Sequence, residues 1–328
     1  MAGEGRIEAA RIDPTIIVGR LLLLVGGVVC LRGWLTPPEA LAAGMALALL
    51  VGNPYARQTA ITAKLLLQAS VVVLGFSMDL HAVVRSGMHG FWFAAVTITL
   101  TWAVGYALGR WLRIHSVTIA LVCAGTAICG GSAIAAVGSV ILAGEAEMSV
   151  SLGTVFLLNA VALIVFPPAG HYLGLTQAQF GTWAGVAIHD ISSVVGAAST
   201  YGHQALQVAT AVKLSRALWI MPVTLVAALI YRRGAGNTVD APVFAIPWFI
   251  GLFLLASLSR TLVPAVADAA PVIIALAERA LTLTLFLIGA GLTRHTLRSV
   301  GLKALALGVL LWVGISLGSL AVIERLVV

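Results

Sequence analysis

"CAGTAICGGSAIAAVGSVI", residues 123–141, decides how this chain is read. It lies inside an apolar run long enough to cross a bilayer, yet a Gly-Gly-Ser sits in its middle. Unwound backbone at mid-depth is tolerated only where protein or a watery cavity satisfies its polar groups. Gly130 and Gly131 followed by Ser132 read as a helix stop and then an N-cap, so "TAIC" closes one half-helix and "AIAAVGSVIL" opens another. The freed amides at the start of the second half carry a positive dipole end that suits an anion. Small residues can also serve only to bring helices close, and Gly125 and Gly138 fit that plainer role. Thr126, Cys129, Gly130, Gly131 and Ser132, with hydroxyls and adjacent glycines together at mid-span, point to substrate binding.

Composition agrees with a membrane setting. Of 328 residues, 60% are hydrophobic and 9% charged, against roughly 25% charged in soluble domains. A mean hydropathy of +1.06 and repeated apolar runs of about 20 residues predict an all-α polytopic membrane protein. Counting segments gives about eleven transmembrane helices, with 117–142 and 181–200 read as crossings that are broken or polar inside. Residues 1–14 read as a cytoplasmic tail and 15–328 as one transmembrane domain. With the N-terminus cytoplasmic, Arg57, Arg110, Arg113, Arg232, Arg233, Arg294, Arg298 and Lys303 fall on the cytoplasmic side, as the positive-inside rule requires. Glu145 and Glu147 fall on the opposite side by the same count. The net charge of +7 is therefore loop charge that sets topology, and nucleic acid is not an expected partner. The three cysteines, Cys30, Cys123 and Cys129, lie in apolar segments without metal-ligand spacing, so neither a metal nor another cofactor is expected.

A second constellation is "WAGVAIHDISSVVGAAST", residues 183–200. Ionisable groups inside an apolar segment are costly and default to function. Asp190 reads as the N-cap of a half-helix beginning at Ile191, with Ser192 and Ser193 exposing hydroxyls in its first turn. Histidine is the side-chain type that can gain or lose a proton near neutral pH, which makes His189, with Asp190, the candidate coupling site for protons or sodium. The plainer reading is a satisfied polar pair pinning two helices. In "ATAVKLSRALWIMP", residues 209–222, Lys213 and Arg216 share a helical face; they either snorkel or supply the cation an anion carrier needs. Ser77 and Asn159 are secondary candidates, Asn159 more simply a helix–helix bond. His189, Asp190, Ser192 and Ser193 cannot form a hydrolytic triad, because triads converge from separate elements. No phosphate-binding loop of the ATPase type is present in the sequence.

A loose internal echo links "LGFSMDLHAVVRSG" from Leu74 to "IGAGLTRHTLRSVG" from Ile288, with Gly75, His81 and Gly87 matching Gly289, His295 and Gly301. Three identities arise by chance in such sequence as readily as by duplication.

Taken in order, "LLVGNPYAR", "LGFSMDL", "AGTAICGGSAIAAVG", "GVAIHDISSVVGAA" and "ATAVKLSRALWIMP" resemble the YeiH-type family of bacterial inner-membrane proteins, named as sulfate exporters. The resemblance implies a secondary carrier with a bile-acid-symporter-like, elevator-type fold. Its parts would be a mobile core, a scaffold, and two inverted repeats meeting near residues 170–180. It further implies sulfate, sulfite or a small sulfonate as cargo, and a homodimer in the lipid of the inner membrane. Ser192 and Ser193, following the His-Asp, leave cargo preference open. The expected function is thus proton-coupled transport of a small anion. The alternatives are a carboxylate carrier, a passive anion channel, and a membrane enzyme or sensor for which no nucleophile–base set stands out.

Overall fold

The computed structural model describes residues 14–235, 248–291 and 301–326. Among them are fourteen helices and the all-α character expected of the sequence: α1 Pro14–Leu31, α2 Pro37–Leu50, α3 Ala56–Gly75, α4 Leu80–Trp111, α5 Ser116–Ala127, α6 Gly131–Val140, α7 Glu145–Tyr172, α8 Gln177–Ala187, α9 Ile191–Tyr201, α10 His203–Ala217, α11 Ile220–Ala235, α12 Trp248–Leu262, α13 Pro264–Gly291 and α14 Leu302–Leu326. Six helical segments are long and apolar enough to cross a membrane by length and composition. Outward faces carry side chains such as Leu24, Trp92, Leu229, Leu276 and Leu317, an apolar exterior that lipid accepts and water does not. His295, with Arg294 and Arg298, lies outside the described residues, so the internal echo is left at its two glycines.

The two segments expected to be broken crossings behave otherwise. Each folds back on itself. In the first, Gly125 faces Ile134 and Gly138 faces Leu121 and Met148. The paired numbers fall on one side as they rise on the other, which is an antiparallel register between α5 and α6. The mouth is closed by His115, just before α5, whose Nδ1 lies 2.7 Å from Glu147 Oε1 in the first turn of α7. Glu145 and Glu147 therefore share an end of the molecule with Arg110 and Arg113, and not the opposite end that eleven simple crossings imply.

The second segment repeats the arrangement from the other direction. Phe180 of α8 stacks on Tyr201 of α9 at 3.8 Å between ring centres. Tyr201 Oη donates to the Leu175 carbonyl at 2.6 Å, and Gln177 Oε1 accepts from the Gln204 amide at 3.0 Å. Start and end of this segment thus lie together as well. Between the two mouths runs α7, whose 28 residues rise roughly 42 Å. Its first turn sits at the mouth of α5–α6, while His171 in its last turn stacks on Tyr201 at 4.2 Å. The hairpins accordingly enter from opposite ends of α7 and meet near its middle.

Two groups of helices surround this pair. Helices α4, α7, α10, α11 and α14 pack around the hairpins, whereas α1, α2, α3, α12 and α13 pack on one another and touch the first group through α9, α4 and α7. The second group is held by close backbone approach. A Cβ on Gly44 would strike the Phe286 carbonyl, and one on Gly289 would strike the Leu41 carbonyl, a small-residue seam between α2 and α13. Gly44→Ala is expected to lower the thermal midpoint of the purified protein by several degrees, at a cost of about 2 kcal/mol for overpacking. Gly87→Ala meets nothing within 4 Å and should leave the midpoint unmoved; equal midpoints for both variants would refute the seam.

The link from α3 to α4 is pinned locally. Asp79 caps α4 by accepting from the amides of His81 and Ala82. Partial desolvation pushes its carboxyl up, but those amides and the Thr261 hydroxyl outweigh it and hold the group below the usual carboxylate range.

Candidate functional site

The tips of the hairpins are the breaks read from the sequence. α5 ends at Ala127, and α6 starts at Gly131. The reversal needs Gly130, whose φ of 67° and ψ of −127° belong to a region that residues with a Cβ populate sparsely. A Cβ there would sit 3.3 Å from Asp190 Cβ, 3.4 Å from Val155 Cγ1 and 3.6 Å from the His189 carbonyl carbon. The first tip therefore rests directly on the second. Asn159 of α7 secures the contact, its Oδ1 accepting from the His189 amide at 3.0 Å.

Asp190 caps α9, as expected: its carboxylate accepts from the Ser193 amide at 3.0 Å and from the Ser192 hydroxyl at 2.6 Å. Ser192 and Ser193 are buried, and Asp190 is half-buried. His189 is fully enclosed, and neither ring nitrogen has a hydrogen-bond partner.

Lys213 and Arg216 do not snorkel; both are 0% exposed. Lys213 Nζ donates to the Ile188 carbonyl at the end of α8. Arg216 Nη2 donates to the Ala127 carbonyl at the end of α5, and Nη1 to Thr97 Oγ1 at 2.9 Å. Each cation thus sits at the C-terminal, electronegative end of one hairpin's first arm, where the helix dipole favours positive charge. Of the four helix ends that meet here, two carry a cation and α9 carries the Asp190 carboxylate. The remaining end, the positive N-terminus of α6, has no side-chain cap. Ser132 in its first turn is exposed, and its hydroxyl has no protein partner among the described residues.

Around this end lie buried polar atoms without partners: Thr126 Oγ1 on α5, Asn159 Nδ2 on α7, both His189 nitrogens and Arg216 Nε. Such atoms are rare in a settled interior and cost about 1–3 kcal/mol each unless something accepts or donates to them. Cys129 is buried beside them. Its sulfur accepts from the Ala133 amide, with Lys213, Arg216 and Asp190 within electrostatic reach.

The structure brings together Thr126, Cys129, Gly130, Gly131, Ser132, Asn159, His189, Asp190, Ser192, Ser193, Lys213 and Arg216 through the contacts above. Ser77 stands apart at the α3–α4 link, where its hydroxyl donates to the Leu74 carbonyl at 2.6 Å. Sequence reasoning missed Thr97, an unremarkable threonine of α4 whose partner is 119 residues away; nothing local marks it.

The family described as "Conserved hypothetical protein 698" matches residues 21–308. A "UPF0324 membrane protein" of Porphyromonas gingivalis is 50% identical over 316 residues, covering 94% of each chain. One from Bacteroides thetaiotaomicron is 47% identical over 301 residues, covering 91% of this chain and 89% of its own. A third, from Geobacter sulfurreducens, is 46% identical over 287 residues, covering 88% of this chain and 90% of its own. No solved structure matches.

Proposed function

From the premise that the chain belongs to the family described as "Conserved hypothetical protein 698", whose relatives are named UPF0324 membrane proteins, we propose that it is a secondary transporter of a small anion. The observation that carries this reading is the uncapped positive end of α6, set where two hairpins from opposite ends meet. A small oxyanion, sulfate, sulfite or a small sulfonate, is held by the amides of Gly131 and Ser132 and by the Ser132 hydroxyl. Thr126 and Asn159 supply further donors. Lys213 and Arg216 make the surroundings positive while keeping the two negative helix ends neutral.

His189 is the group that takes up a proton. Buried beside two cations and without a partner, it gains most from protonation when an anion arrives, so charge entry and proton entry are linked. Asp190 is committed to its cap and keeps the second tip in place. Transport moves the hairpin-bearing group against the α1–α3, α12 and α13 group, which makes the site face each end in turn. The basic residues Arg57, Arg110, Arg113 and Lys303 lie toward one end, and the positive-inside rule makes that end cytoplasmic in a bacterial inner membrane.

Proteoliposomes holding the purified chain should accumulate labelled sulfate or sulfite under an imposed pH gradient, and Ser132→Ala should slow the initial rate about tenfold, one charge-assisted hydrogen bond. Absence of protein-dependent flux for these anions and small sulfonates under every gradient would reject the cargo class. Flux of dicarboxylates alone would move the assignment to a carboxylate carrier, and unitary current steps would make it a channel.

A further inference from the structure

A second polar cavity, of about 430 Å³, lies away from the hairpin tips, where α10 faces α12 and α13. Its polar lining comes from four elements: Ser77 of the α3–α4 link, His203 and Gln207 of α10, Arg260 of α12 and Glu278 of α13. Glu278 lies within a segment apolar and long enough to span, Pro271–Gly291. A carboxylate at such a position is expensive and normally paired. Among the described residues, however, the Glu278 side chain has neither an ion pair nor a hydrogen-bond partner, and it does not pair with Arg260.

The other groups are arranged to leave acceptors free. Gln207 Nε2 donates to the Ser77 carbonyl at 2.8 Å, which fixes the amide and leaves its Oε1 unused. The Ser77 hydroxyl spends its proton on the Leu74 carbonyl and retains its lone pairs. Arg260 Nη1 makes one long bond to the Phe76 carbonyl, 3.4 Å, so most of its donors remain. His203 is exposed at the rim. The cavity thus offers one guanidinium for an oxyanion and, on the side of Glu278 and Gln207, acceptors for a cation.

We propose that this cavity binds a small zwitterion, an ammonium and an oxyanion carried on one short carbon chain. The oxyanion meets Arg260, and the ammonium meets Glu278 and the Gln207 carbonyl oxygen. A plain anion leaves the half-buried Glu278 without a partner, and a plain amine leaves the half-buried Arg260 so, which is how a site rejects a near-isostere that lacks one group. Carboxylate and sulfonate heads are both within the chemistry of Arg260. The site is distinct from the α6 end and does not depend on what binds there.

Titration calorimetry on the purified full chain decides it, with 2-aminoethanesulfonate and β-alanine as zwitterions and ethanesulfonate and ethylamine as the truncated controls. The expected result is at least tenfold tighter binding of one or both zwitterions than of either control. Preference for one zwitterion over the other identifies the oxyanion head. Glu278→Gln should bring 2-aminoethanesulfonate and ethanesulfonate to the same affinity, and Arg260→Gln should do the same for β-alanine and ethylamine. Stabilisation of the protein by sulfate or sulfite, read as a thermal shift, should be unchanged in Glu278→Gln, because those ligands belong to the hairpin tips. The proposal is overturned if wild-type protein binds neither zwitterion more tightly than ethanesulfonate and ethylamine. It is also overturned if no zwitterion binds, or if Glu278→Gln keeps the preference. Failure of sulfate flux with zwitterion binding intact would instead count against the anion-carrier reading alone.

Discussion

Arg216→Met is expected to unfasten the first hairpin, lowering stability by about 3–5 kcal/mol, the usual cost of removing one partner from a buried charged contact. The guanidinium reaches two elements at once, the Ala127 carbonyl on α5 and Thr97 on α4. Methionine fills the volume but leaves a helix C-terminus buried with no donor. Arg216→Lys should be only partly better, at roughly half that cost, since a single ammonium cannot serve both acceptors in the fork geometry. Two measurements check this. The thermal midpoint in detergent should fall in the order wild type, lysine, methionine, and Cys129, now 5% exposed at the tip, should react faster with a thiol reagent in the same order. A methionine variant that melts with the wild type and keeps Cys129 protected would show that Arg216 does not hold the tip.

The second large effect concerns Gly130. Gly130→Ala must hold a side-chain-bearing residue at φ 67°, ψ −127°, at about 1–3 kcal/mol of strain. It also sets a methyl 3.3 Å from Asp190 Cβ and 3.4 Å from Val155 Cγ1, so the two tips are wedged apart. Anion flux and sulfate-induced thermal stabilisation should fall by more than tenfold, since a displacement of the α6 amides removes the contact proposed to hold the anion. Gly131→Ala is the matched control. Its Cβ meets only side-chain ends of Phe156 and Leu152 at 3.3–3.4 Å, and alanine favours a helix by about 1 kcal/mol over glycine. Near-normal flux in Gly131→Ala beside strong loss in Gly130→Ala is the expected pair. Equal loss in both would mean that the site needs flexible backbone generally and not this reversal.

What the sequence disclosed was set by local chemistry. The break at Gly130 and the Asp190 cap are decided by residues within one turn of each other and stand where expected, whereas the second half-helix restarts at Gly131, two residues before Ala133, with Gly130 and not Ser132 in the N-cap position. Whether an apolar segment of some 25 residues crosses or turns back is not a local property. A chain of that length satisfies the bilayer as one crossing or as two half-depth arms, and only the partners across the hairpin separate the cases. His115 with Glu147, and Tyr201 with Leu175, are such partners, and neither pair announces itself in the sequence. Gly125 and Gly138 were legible as packing residues, yet the surface they pack against is their own hairpin's other arm. The cations show the same limit. Lys213 and Arg216 were visible as two cations on one helical face, but that both are buried and that each closes a different helix end depends on contacts 25 and 89 residues away. Glu278 has no motif around it, and only the fold brings it beside Arg260 and Gln207.

Three residues apart on α10, Lys213 grips the inward arm of one hairpin and Arg216 that of the other. Such a helix works as a yoke. A slide or roll of α10 drags both tips the same way, while parting them from each other would tear a charged bond from a fully buried helix end. The cheap displacement is therefore of the whole yoked assembly, and a gate that lifts one hairpin while its counterpart stays still would first have to break this harness.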